Sequence, residues 1–286
     1  MDTKKDRSPN SQASLPHLIP QTKTQKRIGV IGGGYVGGTV ANYYREVGAN
    51  VKVYDKFKTH DPLEEVLAQD YIFIAVPTNY LEGKGIDLGA MDDAMKNASK
   101  SQARAVIIKS TVVPGTTERY QTQYPRIKII FNPEFLTERT ATQDFKYPDR
   151  QIVGYTEQSY DVSGEVMELL PLAPFRRIIP AAVAEMAKYF GNSWFAVKVI
   201  FANQIYDLCE ALEIDYELVR DCVAADRRIG RSHLDVHHDG YRGYGGRCLP
   251  KDTKALIKFA AKLGVDLKLL KTVEEINKKL TGGVDR

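Results

Sequence analysis

The 286-residue chain has only three cysteines and one tryptophan, and no apolar run long enough to cross a bilayer. The cysteines, at positions 209, 222 and 248, are odd in number and lack framework spacing. That pattern points to reduced thiols rather than disulfides. Cys209 and Cys222 fall in helical patterns and read as core thiols. Charge of one sign is also scarce, since 40 Lys and Arg against 36 Asp and Glu leave a net of +4. With no basic stripe interleaved with aromatics, that balance argues against a nucleic-acid partner. The segment Met1-Asp-Thr-Lys-Lys-Asp-Arg7 has no apolar h-region, which argues against secretion. The remaining expectation is a soluble cytoplasmic protein without a membrane partner. Its 43% hydrophobic content suffices for the cores of about two domains.

The order of apolar and polar residues divides the chain in three. Residues 1–25 are rich in Lys, Ser, Gln and Pro without periodicity, the composition of a disordered tail. Between 26 and 180, short apolar runs alternate with helical patterns: Arg27–Ile31, Val51–Tyr54, Tyr71–Val76, Ala105–Lys109, Lys128–Phe131, Gln151–Gly154 and Phe175–Ile179. This alternation predicts an α/β fold with a Rossmann-type, doubly wound and largely parallel sheet. From 181 to 286 the pattern is helical, starting with a long helix over roughly 181–212 that is apolar on one face. Cofactor and substrate of such a sheet meet at the carboxyl ends of its strands. Pro77-Thr78, Ser110-Thr111 and Asn132-Pro133-Glu134 each directly follow a strand.

The first strand runs into Gly32-Gly33-Gly34-Tyr35-Val36-Gly37, in which Gly32, Gly34 and Gly37 have the Gly-x-Gly-x-x-Gly spacing. Thr39 to Val47 then reads as a helix ended by Gly48, and Val51-Lys-Val-Tyr-Asp55 as a second strand closing on an acid. Gly32 permits a tight turn, Gly34 lets the backbone approach a pyrophosphate, and Gly37 lets helix pack on strand. The helix N-terminus offers free N–H groups to phosphate, and Asp55 can accept from ribose hydroxyls. In a chain with 22 glycines the glycine spacing alone is weak. Strand, helix, second strand and acid together make it specific. An acid at that point favours NAD over NADP, because it repels a 2′-phosphate.

Near the other end stands Gly245-Gly246-Arg247-Cys248-Leu249-Pro250-Lys251-Asp252. A cysteine in a glycine-rich turn beside an ammonium and a carboxylate is a poor core segment and a good way to expose a thiol. The Lys251 ammonium would favour the nucleophilic thiolate. Read alone, a buried cysteine that merely packs is the commoner case.

With both sites in one chain, the sequence resembles the UDP-glucose/GDP-mannose dehydrogenase family, whose members oxidise a nucleotide sugar's primary alcohol to a carboxylate with two NAD. The matching motifs keep the family order: Gly32 to Gly37, Ala75-Val-Pro-Thr78, Lys109-Ser-Thr-Val-Val-Pro-Gly-Thr116, Asn132-Pro-Glu-Phe-Leu-Thr-Glu138, Pro148-Asp-Arg150, Ala184-Glu-Met-Ala-Lys188 leading to Asn192, Arg228-Ile-Gly230, and Gly245 to Asp252.

The resemblance implies roles for particular residues. Gly32, Gly34, Tyr35, Val36, Gly37, Asp55, Pro77, Thr78, Ser110 and Thr111 would bind NAD, and no metal is expected. Cys248 would add to the aldehyde and carry a thiohemiacetal and then a thioester. Lys188 and Asn192, four residues apart on the long helix, share a face and would hold an oxyanion. Asp252 with Thr111 would position a water as base for the first oxidation, and Glu134 would activate water against the thioester. Glu138 and Gly245 lie on the substrate side. Arg228 would reach across a dimer interface towards the partner's bound substrate. The expected partners are therefore a nucleotide sugar and a second copy of the chain, joined through the long helix. Met186, Phe190, Phe195, Val199 and Ile205 supply that helix with apolar surface.

Two departures bear on the substrate. Family members usually carry a third, nucleotide-gripping domain, whereas this chain stops at Arg286, which gives the expectation of a short form. Asp55 is also joined to the Tyr71 strand by only about 15 residues, where the family usually has an extra helix. Three readings follow. The first is a nucleotide-sugar dehydrogenase forming a uronic acid. The second is a dehydrogenase of a smaller alcohol, like the β-hydroxyacid dehydrogenases, which Cys248 argues against because a single oxidation needs no thiol. The third is a dimeric protein that binds NAD without catalysis.

Overall fold

The computed structural model describes residues 26–137, 139–238 and 240–283. The expected tail over residues 1–25 and the substrate-side Glu138 lie outside the described residues. The first half alternates as the sequence predicts. It runs β1 (Arg27–Ile31), α1 (Tyr35–Glu46), β2 (Asn50–Tyr54), α2 (Leu63–Leu67) and β3 (Tyr71–Ile74). A small hairpin, β4 (Tyr80–Leu81) and β5 (Gly85–Ile86), leads to α3 (Gly89–Ala98), β6 (Ala105–Ile108), α4 (Thr116–Gln123) and β7 (Ile129–Phe131). Then come α5 (Ala141–Lys146), β8 (Arg150–Tyr155), α6 (Tyr160–Leu169) and β9 (Phe175–Pro180). The second half is α7 (Ala181–Ala211), α8 (Tyr216–Ala224), a hairpin of β10 (His237–His238) and β11 (Tyr241–Arg242), α9 (Leu249–Lys262) and α10 (Lys268–Leu280).

Seven strands form one sheet in the order β2-β1-β3-β6-β7-β8-β9. The central runs Tyr71-Ile-Phe-Ile74 and Ala105-Val-Ile-Ile108 are buried throughout, as strands covered by helices on both faces must be. On one face Tyr44, Phe73, Ile107 and Val166 pack together; on the other, Ile72, Ile74, Met91, Met95 and Tyr120 do. The chain leaves β1 to one side for β2 and returns to the other side for β3. The short connection after Asp55 holds only α2, so β2 remains the edge strand. The reversal of strand order therefore falls between β1 and β3, and a crevice opens there beyond the strand ends. One pair departs from parallel order: β7 and β8 run antiparallel, with Phe131 opposite Gly154. The chain after β7 consequently runs back beside the start of β8, which brings the Asn132–Thr137 segment against Arg150.

α7 has 31 residues, about 46 Å at the α-helical rise. Its first turns are pinned to the sheet domain by Glu185, which is fully buried. The Glu185 carboxylate accepts from the Gly115 and Thr117 amides and from the Thr117 hydroxyl, at 2.6, 2.8 and 2.6 Å, and so caps the start of α4. Burial pushes its carboxyl up to about 7, against the pull of these hydrogen bonds. α9 and α10 pack along α7 and bury Val199, Ile200 and Val273. Val199, expected on the exposed face, is therefore core. Phe195 is half-buried under His233. Met186 and Phe190 are bare as expected, and Val183, Trp194, Phe201 and Leu208 extend the exposed apolar row. Cys209 is buried as expected, but Cys222 is exposed on α8, contrary to its reading as a core thiol. Among the described residues no helix is long and apolar enough to cross a membrane.

Candidate active site

Two concave regions meet at the carboxyl side of the sheet. The first is the crevice over β1 and β3. Gly32 has φ of 102°, and a Cβ there would lie 2.3 Å from the Ala75 carbonyl oxygen, so the turn closes only with glycine. A Cβ on Gly37 would lie 1.8 Å from the Gly32 oxygen, whereas nothing stands within 4 Å of one on Gly34. The turn is thus packed tightly behind and open in front. Helix α1 begins at Tyr35 with Val36 next and carries no acidic residue in its first turn, so its N-terminal amides face an approaching anion without competition.

Asp55 ends β2 at the rim of this crevice. Its Oδ2 accepts from the Gly33 amide at 2.7 Å and its Oδ1 from the Phe57 amide at 2.9 Å. Burial raises its pKa, but these two amides, with Lys58 and His60, outweigh it and hold the carboxyl below its ordinary range. Lys58 Nζ also donates to the Gly33 oxygen at 3.1 Å, a cation the sequence reading did not weigh. On the opposite rim Pro77, Thr78, Ser110 and Thr111 form one hydrogen-bonded shelf. The Thr78 hydroxyl donates to the Thr111 oxygen at 2.8 Å and the Ser110 hydroxyl to the Val76 oxygen at 2.7 Å. The open glycine turn, the uncontested helix end and the ionised acid fit a dinucleotide.

The second region is a cavity of about 790 Å³ between the Asn132–Thr137 segment, the α7 face and the turn before α9. Lys188, Asn192, Glu134, Gly245 and Cys248 all line it. Residues 114 positions apart in sequence, Glu134 and Cys248, belong to one site because α9 packs on α7 next to the β7 terminus. Lys188 Nζ lies 3.0 Å from Glu134 Oε1, with both side chains at most 10% exposed. Burial pushes the Glu134 carboxyl up; Lys188, the Leu136 amide at 2.8 Å and Lys109 outweigh that and leave it below its ordinary range. Glu134 is ionised at neutral pH. Asn192 Nδ2 donates to Asp252 Oδ2 at 2.5 Å. The second oxygen of Asp252, 1% exposed, takes Lys251 Nζ at 2.5 Å.

These contacts bear on two expectations. The Lys251 ammonium is held by Asp252, and its pull towards the thiolate does not prevail at Cys248. The protein around the sulfur pushes the Cys248 thiol up, as do Glu134 and Asp252, while Lys188 and Lys251 pull it down without prevailing. The residue still keeps an exposed surface and stands just before the first turn of α9, without a capping hydrogen bond from its side chain. In addition, Thr111 is not on the wall of this cavity, and Asp252 lies behind Asn192. The structure shows no contact between Asp252 and Thr111. Arg228 does not line this cavity either; it is 89% exposed and paired with Asp226 at 2.6 Å.

Other groups at the cavity escaped the sequence reading. Lys109, 2% exposed, donates to Asn132 Oδ1 at 2.8 Å, and burial brings its pKa down to about 8. The Arg150 guanidinium lies 3.8 Å over the Phe135 ring, with a buried Nε that has no hydrogen-bond partner among the described residues. The Lys188 ammonium approaches the same ring at 5.4 Å. Lys109 and Arg150 sat inside motifs already quoted, and only their charge at a strand end could have marked them. His233 had no such signal.

A nucleotide-binding crevice beside a thiol, a buried lysine and an ionised carboxylate defines an NAD-dependent oxidoreductase architecture. Comparison with known proteins narrows it. Sequence models of the UDP-glucose/GDP-mannose dehydrogenase family match residues 55–170, as the NAD binding domain, and residues 182–279, as the central domain. The UDP-glucose 6-dehydrogenase of Haloferax volcanii is 31% identical over 87% of this chain and 69% of its own length. The GDP-mannose 6-dehydrogenase of Pseudomonas aeruginosa is 32% identical over 77% of this chain and 53% of its own length. Among solved structures, a UDP-glucose dehydrogenase from Pyrobaculum islandicum superimposes with a TM-score of 0.79 at 29% identity, covering 92% of this chain and 70% of that one. The chain belongs to the UDP-glucose/GDP-mannose dehydrogenase family and uses NAD. It spans between half and about two thirds of the length of most of the curated relatives it matches.

Proposed function

We propose that this chain oxidises the primary alcohol of a nucleotide sugar to a carboxylate, with Cys248 as the covalent nucleophile. The observation that supports this reading most is the meeting of Cys248, Lys188, Asn192 and Glu134 on one cavity wall. Bound in the crevice, NAD supplies the two-electron acceptor for each of two oxidations. Lys188 and Asn192, one turn apart on α7, give the oxygen of the reacting carbon two donors once substrate displaces Glu134 and Asp252 from them. Burial makes that charge assistance stronger than at a surface. In the first oxidation the alcohol proton must leave to a base, a role assigned here to Asp252, behind Asn192, acting through a water shared with Thr111. In the second, the Cys248 sulfur adds to the aldehyde carbon and the thiol proton ends on the carbonyl oxygen. Oxidation of that thiohemiacetal, with its hydrogen leaving as hydride to a second NAD and its hydroxyl proton to water, would leave a thioester. Glu134, kept ionised by Lys188, takes a proton from the attacking water, which releases the acid and restores the thiol. Because the proton moves to oxygen during addition, the raised thiol pKa does not block the step.

The domain division follows the same logic: residues 26–180 hold the cofactor and 181–286 supply the thiol, the lysine and the subunit contact. The bare apolar row on α7 adjoins a groove of about 760 Å³ lined by Val183, Met186, Phe190 and Trp194. Such a face suits a two-fold interface, in which the exposed Arg228 would reach the neighbour's site. A cytoplasmic setting remains part of this reading.

A one-step dehydrogenase of a smaller alcohol would leave Cys248 without a task, and a protein that only binds NAD would have no need of the Lys188–Glu134 pair. The test is a panel of UDP- and GDP-sugars with NAD, counting NADH per sugar. Two NADH per sugar support the proposal. One NADH, or turnover only with small hydroxy acids, overturns it.

A further inference from the structure

The loop between α8 and α9 holds a residue in a conformation that its type seldom adopts. His233 has φ of 65°, in the left-handed region where a Cβ crowds the backbone. Glycine would sit there without strain. The surroundings nevertheless fix this histidine closely. Its ring lies flat on Phe195 of α7, with centroids 4.0 Å apart and planes within 1°. Ser232 Oγ is hydrogen-bonded to its Nδ1. His233 also lines the same cavity as Lys188, Asn192 and Cys248. Burial, Lys198 and His238 all lower its pKa, so the ring is neutral at pH 7. In the tautomer in which the Ser232 hydroxyl donates to Nδ1, Nε2 carries the proton, and no described residue partners it. A strained backbone that holds an immobilised donor on a cavity wall suggests a ligand contact rather than a fold requirement.

We propose that His233 is a substrate-recognition residue, whose Nε2–H donates to an oxygen of the nucleotide sugar away from the reacting carbon. This rests on the nucleotide-sugar reading of the cavity. The acceptor is a diphosphate oxygen or a sugar hydroxyl, both of which take a hydrogen bond from a neutral imidazole. The stack on Phe195 ties the donor to the helix that carries Lys188 and Asn192. The contact would therefore set the distance between the held part of the substrate and its reacting carbon.

Isothermal titration of the full chain carrying Cys248→Ala, with UDP-glucose, UDP and NAD, tests the proposal. His233→Gly removes ring and strain together; His233→Phe keeps the stack and removes the nitrogen. Both are expected to raise the Kd for UDP-glucose at least about tenfold and to leave that for NAD unchanged, with Tm in His233→Gly equal to or above the parent. An equal loss for UDP assigns the contact to the diphosphate, and an unchanged UDP affinity assigns it to the sugar. Parental affinity in His233→Gly, or full recovery in His233→Phe, would overturn the proposal, because the ring would then serve packing alone. A parent that binds no nucleotide sugar of the panel would instead sink the substrate reading, and this contact with it.

Discussion

Removing the Lys188 charge is the sharpest perturbation of the proposed site. Lys188 is 4% exposed and its Nζ sits 3.0 Å from Glu134 Oε1. At an effective dielectric near 20 that attraction is roughly 5 kcal/mol. Desolvation of the two ions offsets much of it, so the net worth of the pair is small. Breaking it from one side is different, because a buried carboxylate is left uncompensated, at a cost of about 3–5 kcal/mol. Lys109 lies near the same carboxylate and softens the loss, which places Lys188→Met at about 3 kcal/mol. In a protein of this size that corresponds to a fall in Tm of roughly 6–12 °C. Glu134→Gln in the Lys188→Met background removes the stranded charge and should recover most of the loss. The assay is urea unfolding of the wild type, both single variants and the double variant at pH 7, with equal m-values as the control for two-state behaviour. A coupling energy of about 2 kcal/mol or more is expected. Strict additivity would refute the view that the Lys188 charge compensates the buried Glu134 carboxylate. Activity should not return in the double variant, since both proposed functional groups are gone.

Three further outcomes follow from the structure. NAD should be preferred over NADP by about tenfold in kcat/KM, a difference of ~1.4 kcal/mol, because the ionised Asp55 would repel a 2′-phosphate; equal values would show that Asp55 does not face the ribose. Glu185 binds its proton more tightly folded than unfolded, since its pKa is raised from 4.5 to about 7. Its contribution is therefore full below pH 4.5 and is lost as pH rises through 7, roughly 3 kcal/mol in all, and Glu185→Gln should flatten the Tm–pH curve over that window. Mixed dimers of Arg228→Ala and Cys248→Ser subunits should regain part of the activity that each parent lacks; proven heterodimers that stay inactive would remove Arg228 from the neighbour's site.

The sheet was legible because its strands are buried on both faces. Runs such as Tyr71-Ile-Phe-Ile74 leave no amphipathic alternative, and all seven strands lie where the apolar runs placed them. The glycine turn was legible for a steric reason, since Gly32 and Gly37 touch backbone. The antiparallel β7–β8 pair was not, because strand direction depends on where the intervening chain crosses. The exposed stripe of α7 was misassigned at Val199 because the helix is apolar on several sides, and periodicity does not say which side α9 and α10 cover. Electrostatic pairing was the least legible. The sequence places Lys251 near Cys248, and only the fold shows it against Asp252. Contacts such as Phe195 on His233 join distant segments and leave no trace in spacing.

The most direct measurement is product formation by Cys248→Ser under conditions where the wild type completes turnover. With NAD and the best nucleotide sugar of the panel, the wild type should release the acid with two NADH per sugar. The serine variant should release no acid at a comparable rate, with binding of substrate and NAD retained. Mass spectrometry of acid-quenched wild type should show the acyl adduct on Cys248. A serine variant that makes acid at the wild-type rate, with no adduct on the wild-type cysteine, would contradict covalent catalysis by Cys248.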